Sequence, residues 1–170
     1  MGLAFLDENM RLSKKSVLGV IVLLLAGIAV VGWLLLGQQP QRGFEIYLSE
    51  SNKLVISDED IVSYNKTSHK IKLNEQGLRR MKALDLYLYQ KTFIVKLNGE
   101  EVYKGAFWSS ISSQSYSGIV IVDVILIRNG MTDSITIEKG YPSPDFFEGI
   151  DPRNNPEIFD YFQKIRKLTQ

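Results

Sequence analysis

Residues 93–107 read FIVKLNGEEVYKGAF, two runs of strand-forming residues joined by Asn98-Gly99. Asn-Gly is typical of the type I′ hairpin turn, because both central residues of that turn need a positive φ. A two-residue loop sets three cross-strand pairs: Leu97 with Glu100, Lys96 with Glu101, and Val95 with Val102. The stretch therefore predicts an antiparallel hairpin, with opposite charges on one rung and branched apolar side chains on the next.

Further along the chain, Asn129-Gly130 predicts a second hairpin of the same kind. The same loop length sets three more pairs: Val124 with Ile135, Asp123 with Thr136, and Val122 with Ile137. One face of this hairpin is apolar and the other is polar, which is typical of an antiparallel sheet covered on one side. Asp123 lies on the polar face, so we expect its carboxylate to be solvated.

Shorter strands precede the first hairpin. Alternating apolar residues predict a strand at residues 44–48, a short strand at 54–56, and a hairpin of 61–64 with 70–73. The polar link between the last two contains the chain's one histidine, His69, which we expect at the surface. That link also contains Asn65-Lys66-Thr67, which fits the glycosylation triplet.

Two helices complete the prediction. Asn74 is a helix cap, and apolar residues at helical spacing predict an amphipathic helix from Glu75 to about Tyr87. Pro156 predicts the start of a final helix with Ile158, Phe162 and Ile165 on one face. The expected fold is α+β, a single mostly antiparallel sheet domain with two packed helices.

Residues 16–36, SVLGVIVLLLAGIAVVGWLLL, carry no charge. At about 1.5 Å per residue they span about 31 Å as a helix, close to the hydrocarbon thickness of a bilayer. Arg11, Lys14 and Lys15 precede the run, and this positive charge favours a cytoplasmic N-terminus. The run is longer than the apolar core of a cleaved signal peptide, which is the alternative, so we predict a retained signal anchor.

The expected organisation has four parts. They are a cytoplasmic segment at residues 1–15, a transmembrane helix in the lipid bilayer at 16–36, a linker at 37–42 and an extracytoplasmic domain at 43–170.

Composition excludes several function classes. From Gln38 onward the chain has 17 Lys and Arg against 17 Asp and Glu, so no global charge favours nucleic acid. The chain has no Cys and one His, which excludes disulfides, thiol nucleophiles and histidine-cluster metal sites. A basic stretch at residues 66–82 indicates a solvated surface, with anionic lipid or a phosphate-bearing partner as the alternative. We expect no metal, no cofactor, no nucleic-acid partner and no enzymatic activity.

The main candidate site is the serine loop, residues 109–118, which reads SSISSQSYSG after Trp108. Long loops lie on protein surfaces, and aromatic rings with hydroxyls suit contact with a partner. The candidate partner-binding residues are Trp108, Ser109, Ser110, Ser112, Ser113 and Tyr116. The alternatives are a plain connector and a serine nucleophile, which would need His69 or a lysine as its base.

The stretch from about Ile61 to Val122 resembles the soluble extracytoplasmic domain of SecD, the accessory subunit of the preprotein translocase. The resemblance rests on IKLNEQGLRRMKAL, FIVKLNGEEVYKGAF and SGIVIV, a strand with a glycine-containing helix, a tight hairpin and a further strand. It departs at Ala106-Phe107-Trp108, where the family has a proline, and no functional residue carries over.

This resemblance implies a SecD-like fold and a place at the export machinery or the cell envelope. The leading hypothesis is therefore a membrane-anchored extracytoplasmic domain that binds a protein or peptide. A membrane-anchored hydrolase using the serine loop is one alternative, and a sensory or structural subunit of a membrane complex is the other.

Overall fold

The computed structural model describes residues 43–84 and 90–170, and its α+β character confirms the predicted fold class. The strands in these ranges are β1 Phe44–Leu48, β2 Leu54–Ser57, β3 Ile61–Asn65, β4 Lys70–Leu73, β5 Thr92–Leu97, β6 Glu100–Phe107, β7 Tyr116–Ile121, β8 Ser134–Thr136, β9 Glu138–Tyr141 and β10 Leu168–Thr169. The α-helices are α1 Glu75–Lys82, α2 Val124–Arg128 and α3 Pro156–Lys164, and 3₁₀ turns lie at Asp58–Asp60, Pro144–Phe146 and Pro152–Asn154. The described residues, 43–84 and 90–170, belong to one compact unit.

The strands form two sheets, so the prediction of a single sheet is wrong. One sheet has six strands in the order β2-β1-β5-β6-β7-β9, and the other has four in the order β10-β3-β4-β8. Most neighbours are antiparallel, but β6 with β7 and β10 with β3 are parallel. The sequence does not show this division, because local alternation identifies strands without identifying their neighbours.

One continuous run, residues 134–141, passes from the four-stranded sheet to the six-stranded sheet. β8 pairs with β4, β9 pairs with β7, and Ile137 lies between them. Buried backbone groups need hydrogen-bond partners where a ladder is interrupted. Here the Asp123 carboxylate accepts from Thr136 N at 2.6 Å, and Arg153 donates to Ile137 O at 2.8 Å. Two distant side chains thus stabilise the change of sheet.

The main core is rich in aromatic rings that bring α3 against both sheets. Tyr64 of β3 stacks on Phe162 of α3, with 4.7 Å between ring centroids and 9° between the planes. Phe44 of β1 lies 5.0 Å from the same Phe162 ring. All three side chains are fully buried, so α3 is an integral part of the core.

The first hairpin is confirmed in its turn and in two of its three pairs. Asn98 and Gly99 have φ values of 54° and 89°, as a type I′ turn requires. The structure pairs Leu97 with Glu100 and Lys96 with Glu101. The third predicted pair is wrong, since a bulge after Val95 places it opposite Tyr103 instead of Val102.

The second predicted hairpin is wrong, because residues 124–128 form α2. Gly130 has a φ of 70°, whereas Asn129 has a φ of −81° and lacks the positive value that a type I′ turn needs. Met131 N donates to Leu126 O at 2.9 Å and Gly130 N to Ile127 O at 3.0 Å. These two bonds and a left-handed glycine define a Schellman helix end. Asn-Gly therefore ends a helix here.

The two predicted amphipathic helices are present. Asn74 accepts a hydrogen bond from Gly77 N at 2.9 Å and caps α1 as expected. α1 ends at Lys82, before the predicted end near Tyr87, and residues 85–89 lie outside the described residues. α3 begins at Pro156 as predicted.

The predicted segments at residues 1–15, 16–36 and 37–42 lie outside the described residues. Within residues 43–84 and 90–170, no helix has the length and apolar character needed to cross a membrane.

Candidate functional site

Residues 108–115 connect β6 to β7, two parallel neighbours in the six-stranded sheet. The sequence predicts the serine loop over residues 109–118, but its last three residues, from Tyr116, are strand instead of loop. Ala106 pairs with Val120 and Phe107 with Ile121. Because parallel strands begin at the same end of a sheet, their connection has to run back along the sheet. The chain makes this return with irregular backbone alone. Its first step is held by Trp108 N, which donates to Ile121 O at 2.9 Å.

The loop is supported by a small second core. Ala106, Trp108 and Val120 are buried together, with Tyr116, Val122 and Tyr141 packed around them. Ile119 and Ile121, the neighbours of Val120 in β7, belong to the main core. Since successive strand residues face opposite sides of a sheet, the second core lies on the outer face of the six-stranded sheet.

Trp108 is the centre of this second core. Its ring centroid is 5.0 Å from that of Tyr116 and 6.4 Å from that of Tyr141. Only 8% of the residue is exposed. We predicted that Trp108 and Tyr116 anchor a partner. The structure places the Trp108 ring under the loop, where its observed contacts hold the loop on the sheet.

Aromatic side chains also fix the loop backbone through hydrogen bonds. The Tyr141 hydroxyl donates to Ser110 O at 2.9 Å and approaches Ser112 O at 3.1 Å. The Trp108 indole donates to Gln114 O at 3.2 Å. Three carbonyls of the loop therefore have partners on the sheet side, which holds the loop in one conformation.

The remaining predicted residues line an uncharged surface. Ser110 and Ser113 are exposed, and Ser109 and Ser112 are half-buried. The Ser112 hydroxyl accepts from Gln114 N at 3.1 Å, within the loop itself. Between the two serine pairs lies Ile111, which is 86% exposed. Ile111 is absent from our predicted set. The sequence could have indicated it, because it is the one large aliphatic residue between the serines.

The structure does not support a serine–histidine pair. His69 is buried against two residues of the main core, since its Nδ1 lies 2.9 Å from the Tyr64 hydroxyl and its ring stacks on Phe159. The serine loop instead covers the second core on the outer face of the six-stranded sheet. The imidazole that a hydrolase would need thus has other partners.

The prediction of a surface histidine is wrong, because His69 is only 4% exposed. Phe159 of α3 packs against its ring from far along the chain. Burial lowers the pKa of His69, the nearby Arg153 lowers it further, and Asp151 acts in the opposite direction. The imidazole is therefore held in its neutral form more strongly than an exposed one.

Asp123 is half-buried, so the prediction of a solvated carboxylate is also wrong. It does lie beside Thr136, but its side chain accepts from the Thr136 backbone, and no strand pairing joins the two. Burial raises the pKa of Asp123 and outweighs the hydrogen bonds from Thr136. Burial also raises the pKa of Glu138, and the charge of Asp123 adds to this effect. Among the described residues, no group of three His, Cys, Asp or Glu side chains is arranged to hold a metal ion.

Cations of the basic stretch, residues 66–82, pair with acids, one of which, Asp60, is fully buried. Three of its cations contact acids: Lys72 with Asp133 at 3.4 Å, Arg79 with Glu75 at 3.4 Å, and Arg80 with Asp60 at 3.5 Å. In the glycosylation triplet, Asn65 uses its amide nitrogen to contact Gln170 O at 2.5 Å. Its amide oxygen accepts from Thr67 N and Ser68 N and closes the turn.

From β4 to β7 the elements follow the order strand, helix, hairpin, loop and strand. Comparisons of the chain with protein families, curated proteins and solved structures find no match, so the resemblance to SecD stays a prediction.

Proposed function

We propose that this chain is a single-pass membrane protein that binds a protein or peptide through its serine loop. In this proposal residues 16–36 lie in the lipid bilayer and residues 43–170 lie outside the cytoplasm. The uncharged run and the positive charges before it support this topology. The resemblance to SecD suggests the export machinery or the cell envelope as the setting.

The exposed Ile111 is the observation that carries the binding proposal. Its side chain is 86% exposed to water. Removing apolar surface from water is worth about 25 cal/mol per Å². Single exposed aliphatic residues are common on proteins, but this one stands on a backbone whose flanking carbonyls, Ser110 O and Ser112 O, are held by Tyr141.

That fixed backbone matters because binding normally orders the residues that make contact. A loop already held in its bound conformation avoids most of that entropy loss and gains affinity accordingly. The exposed hydroxyls of Ser110 and Ser113 lie on either side of Ile111. With no charged residue from 105 to 122, the loop fits an uncharged, partly apolar segment of a partner.

The test compares two exposed aliphatic residues in the full-length chain. Ile111→Ser removes the exposed apolar side chain of the serine loop, and Val62→Ser is the matched control, since Val62 is 49% exposed on β3. Chemical crosslinking of the membrane fraction should give an adduct with the parent chain and with Val62→Ser. Ile111→Ser should lose most of this adduct. If both variants give the same amount of adduct, the serine loop is not the binding site.

A further inference from the structure

His69 joins the four-stranded sheet to α3. Its ring is buried, and its Nδ1 lies 2.9 Å from the hydroxyl of Tyr64 on β3. On the helix side, the His69 and Phe159 rings stack with 6.3 Å between their centroids and 21° between their planes. The one histidine of this chain therefore contacts both the sheet and the helix.

Two cations and one carboxylate surround this contact. Arg153 and Asp151 form an ion pair, with 2.6 Å between Nη2 and Oδ2, and both charges act on His69. Lys66 places its ammonium 4.9 Å from the centre of the Phe159 ring. The Asp151 carboxylate binds Arg153 through both of its oxygens, and its favourable effect on a charged imidazole is smaller than the unfavourable effect of Arg153.

The residues beside His69 hold the C-terminal segment, which we define as residues 156–169. The Tyr64 ring stacks on Phe162, and Tyr64 N donates to Lys167 O at 2.8 Å. The Thr169 hydroxyl donates to Tyr64 O at 3.3 Å. Only two residue pairs join β10 to β3. Tyr64, the partner of His69, is therefore one attachment of this segment, together with Asp58, which binds Tyr161 and Lys167, and Phe44, which packs against Phe162.

We propose that protonation of His69 releases the C-terminal segment from the four-stranded sheet and makes the domain sensitive to mild acid. With its proton on Nε2, the neutral imidazole accepts from the Tyr64 hydroxyl through Nδ1. An imidazolium carries protons on both nitrogens, so its Nδ1 can only donate and the hydroxyl has to reverse its role. Its new charge is also buried beside Arg153, with Lys66 on the far side of Phe159. A buried charge without a free counter-ion is strongly unfavourable.

The sign of the pH dependence follows from linkage. The folded state lowers the pKa of His69, so the unfolded state binds the proton more readily. The contribution of neutral His69 to stability is then fully present above the unfolded-state pKa of about 6.5. It is lost as the pH falls from there through the pKa of the folded state.

Amide hydrogen exchange of the full-length chain in lipid nanodiscs tests the proposal. Protection, corrected for the intrinsic exchange rate, is compared at pH 7.5 and pH 5.0 for residues 156–169 and for β5 and β6. We expect protection of the C-terminal segment to fall at least about tenfold while β5 and β6 keep theirs. His69→Asn should show no such fall, because asparagine does not titrate and accepts the left-handed φ of 53°.

Three results would overturn the proposal. The first is unchanged protection of residues 156–169 at pH 5.0, and the second is an equal loss of protection from these residues and from β5 and β6. The third is the same loss of protection in His69→Asn, which would implicate Asp123 or Glu138. If His69→Asn fails to fold, a second measurement on the parent chain replaces it. The single imidazole of the parent chain can be titrated by NMR. Its midpoint must coincide with the loss of protection, and a titration without that loss contradicts the proposal.

Discussion

At the scale of single residues, Trp108 is an aromatic residue that the sequence predicts to bind a partner and that the structure places in a core. The sequence places it beside a polar loop, which favours contact with a partner. The structure packs it against Tyr116 and Val120 and uses its indole to hold Gln114 O. Its neighbours come from β7 and β9 as well as β6, and no pattern local to Trp108 indicates them.

Trp108→Ala should therefore destabilise the folded domain. Replacing a buried Trp by Ala typically costs about 3–5 kcal/mol, since it removes apolar contacts and leaves a cavity. We expect the lower end here, because the second core is small and lies at the surface. Urea unfolding of the parent chain and of the variant measures this loss. Ile111→Ala is the control and should change the free energy of unfolding by less than about 0.5 kcal/mol.

A loss below about 1 kcal/mol for Trp108→Ala would mean that the ring contributes little to packing. The second core would then not support the serine loop, and Trp108 would again be a candidate for direct contact with a partner.

At the scale of elements, the two Asn-Gly pairs show how one dipeptide signals two structures. Asn98-Gly99 turns a hairpin, whereas Asn129-Gly130 ends α2. Glycine has a positive φ in both the hairpin turn and the helix end, so glycine does not distinguish the two structures. The difference lies in the asparagine, whose φ is 54° at position 98 and −81° at position 129.

Alanine at the two asparagines should therefore have unequal effects. Asn98→Ala places alanine, which disfavours the left-handed region, at a left-handed position. This should lower the free energy of unfolding by about 1 kcal/mol. Asn129→Ala stays in an ordinary conformation and should cost less than about 0.5 kcal/mol. Denaturant midpoints of the two variants measure the difference. Equal losses would indicate a type I′ turn at both sites and would contradict the helix end at Gly130.

At the scale of the whole molecule, the sequence predicts what neighbouring residues determine. The first hairpin, the hairpin of β3 with β4, the cap at Asn74 and the start of α3 at Pro156 all depend on residues a few positions apart. The division into two sheets and the parallel pairing of β6 with β7 depend on long-range packing. Sequence periodicity carries no signal for either.

The candidate site also has a part that neighbouring residues indicate and a part that long-range packing decides. The serine loop is visible as a polar stretch between two strands, so its position could be predicted. The burial of Trp108 depends on Tyr141, and the burial of His69 depends on Phe159. Each contact joins residues that are distant along the chain, and nothing in one part of the sequence indicates the other.

We propose that the serine loop lies outside the cytoplasm and contacts a partner there, and thiol labelling tests both parts of this proposal. The chain has no cysteine, so Ile111→Cys and Val62→Cys each introduce a single thiol. A membrane-impermeant maleimide reports first on topology, because only a thiol outside the membrane of intact spheroplasts can react. It also reports on occupancy, because a bound partner slows the reaction at the residue that it covers.

We expect both thiols to react in intact spheroplasts, and position 111 to react more slowly there than in the purified chain. Position 62, on exposed β3 surface, should react at the same rate in both preparations. Protection of both thiols until the membrane is opened would contradict the topology. Equal rates for position 111 in spheroplasts and in the purified chain would contradict binding at the serine loop.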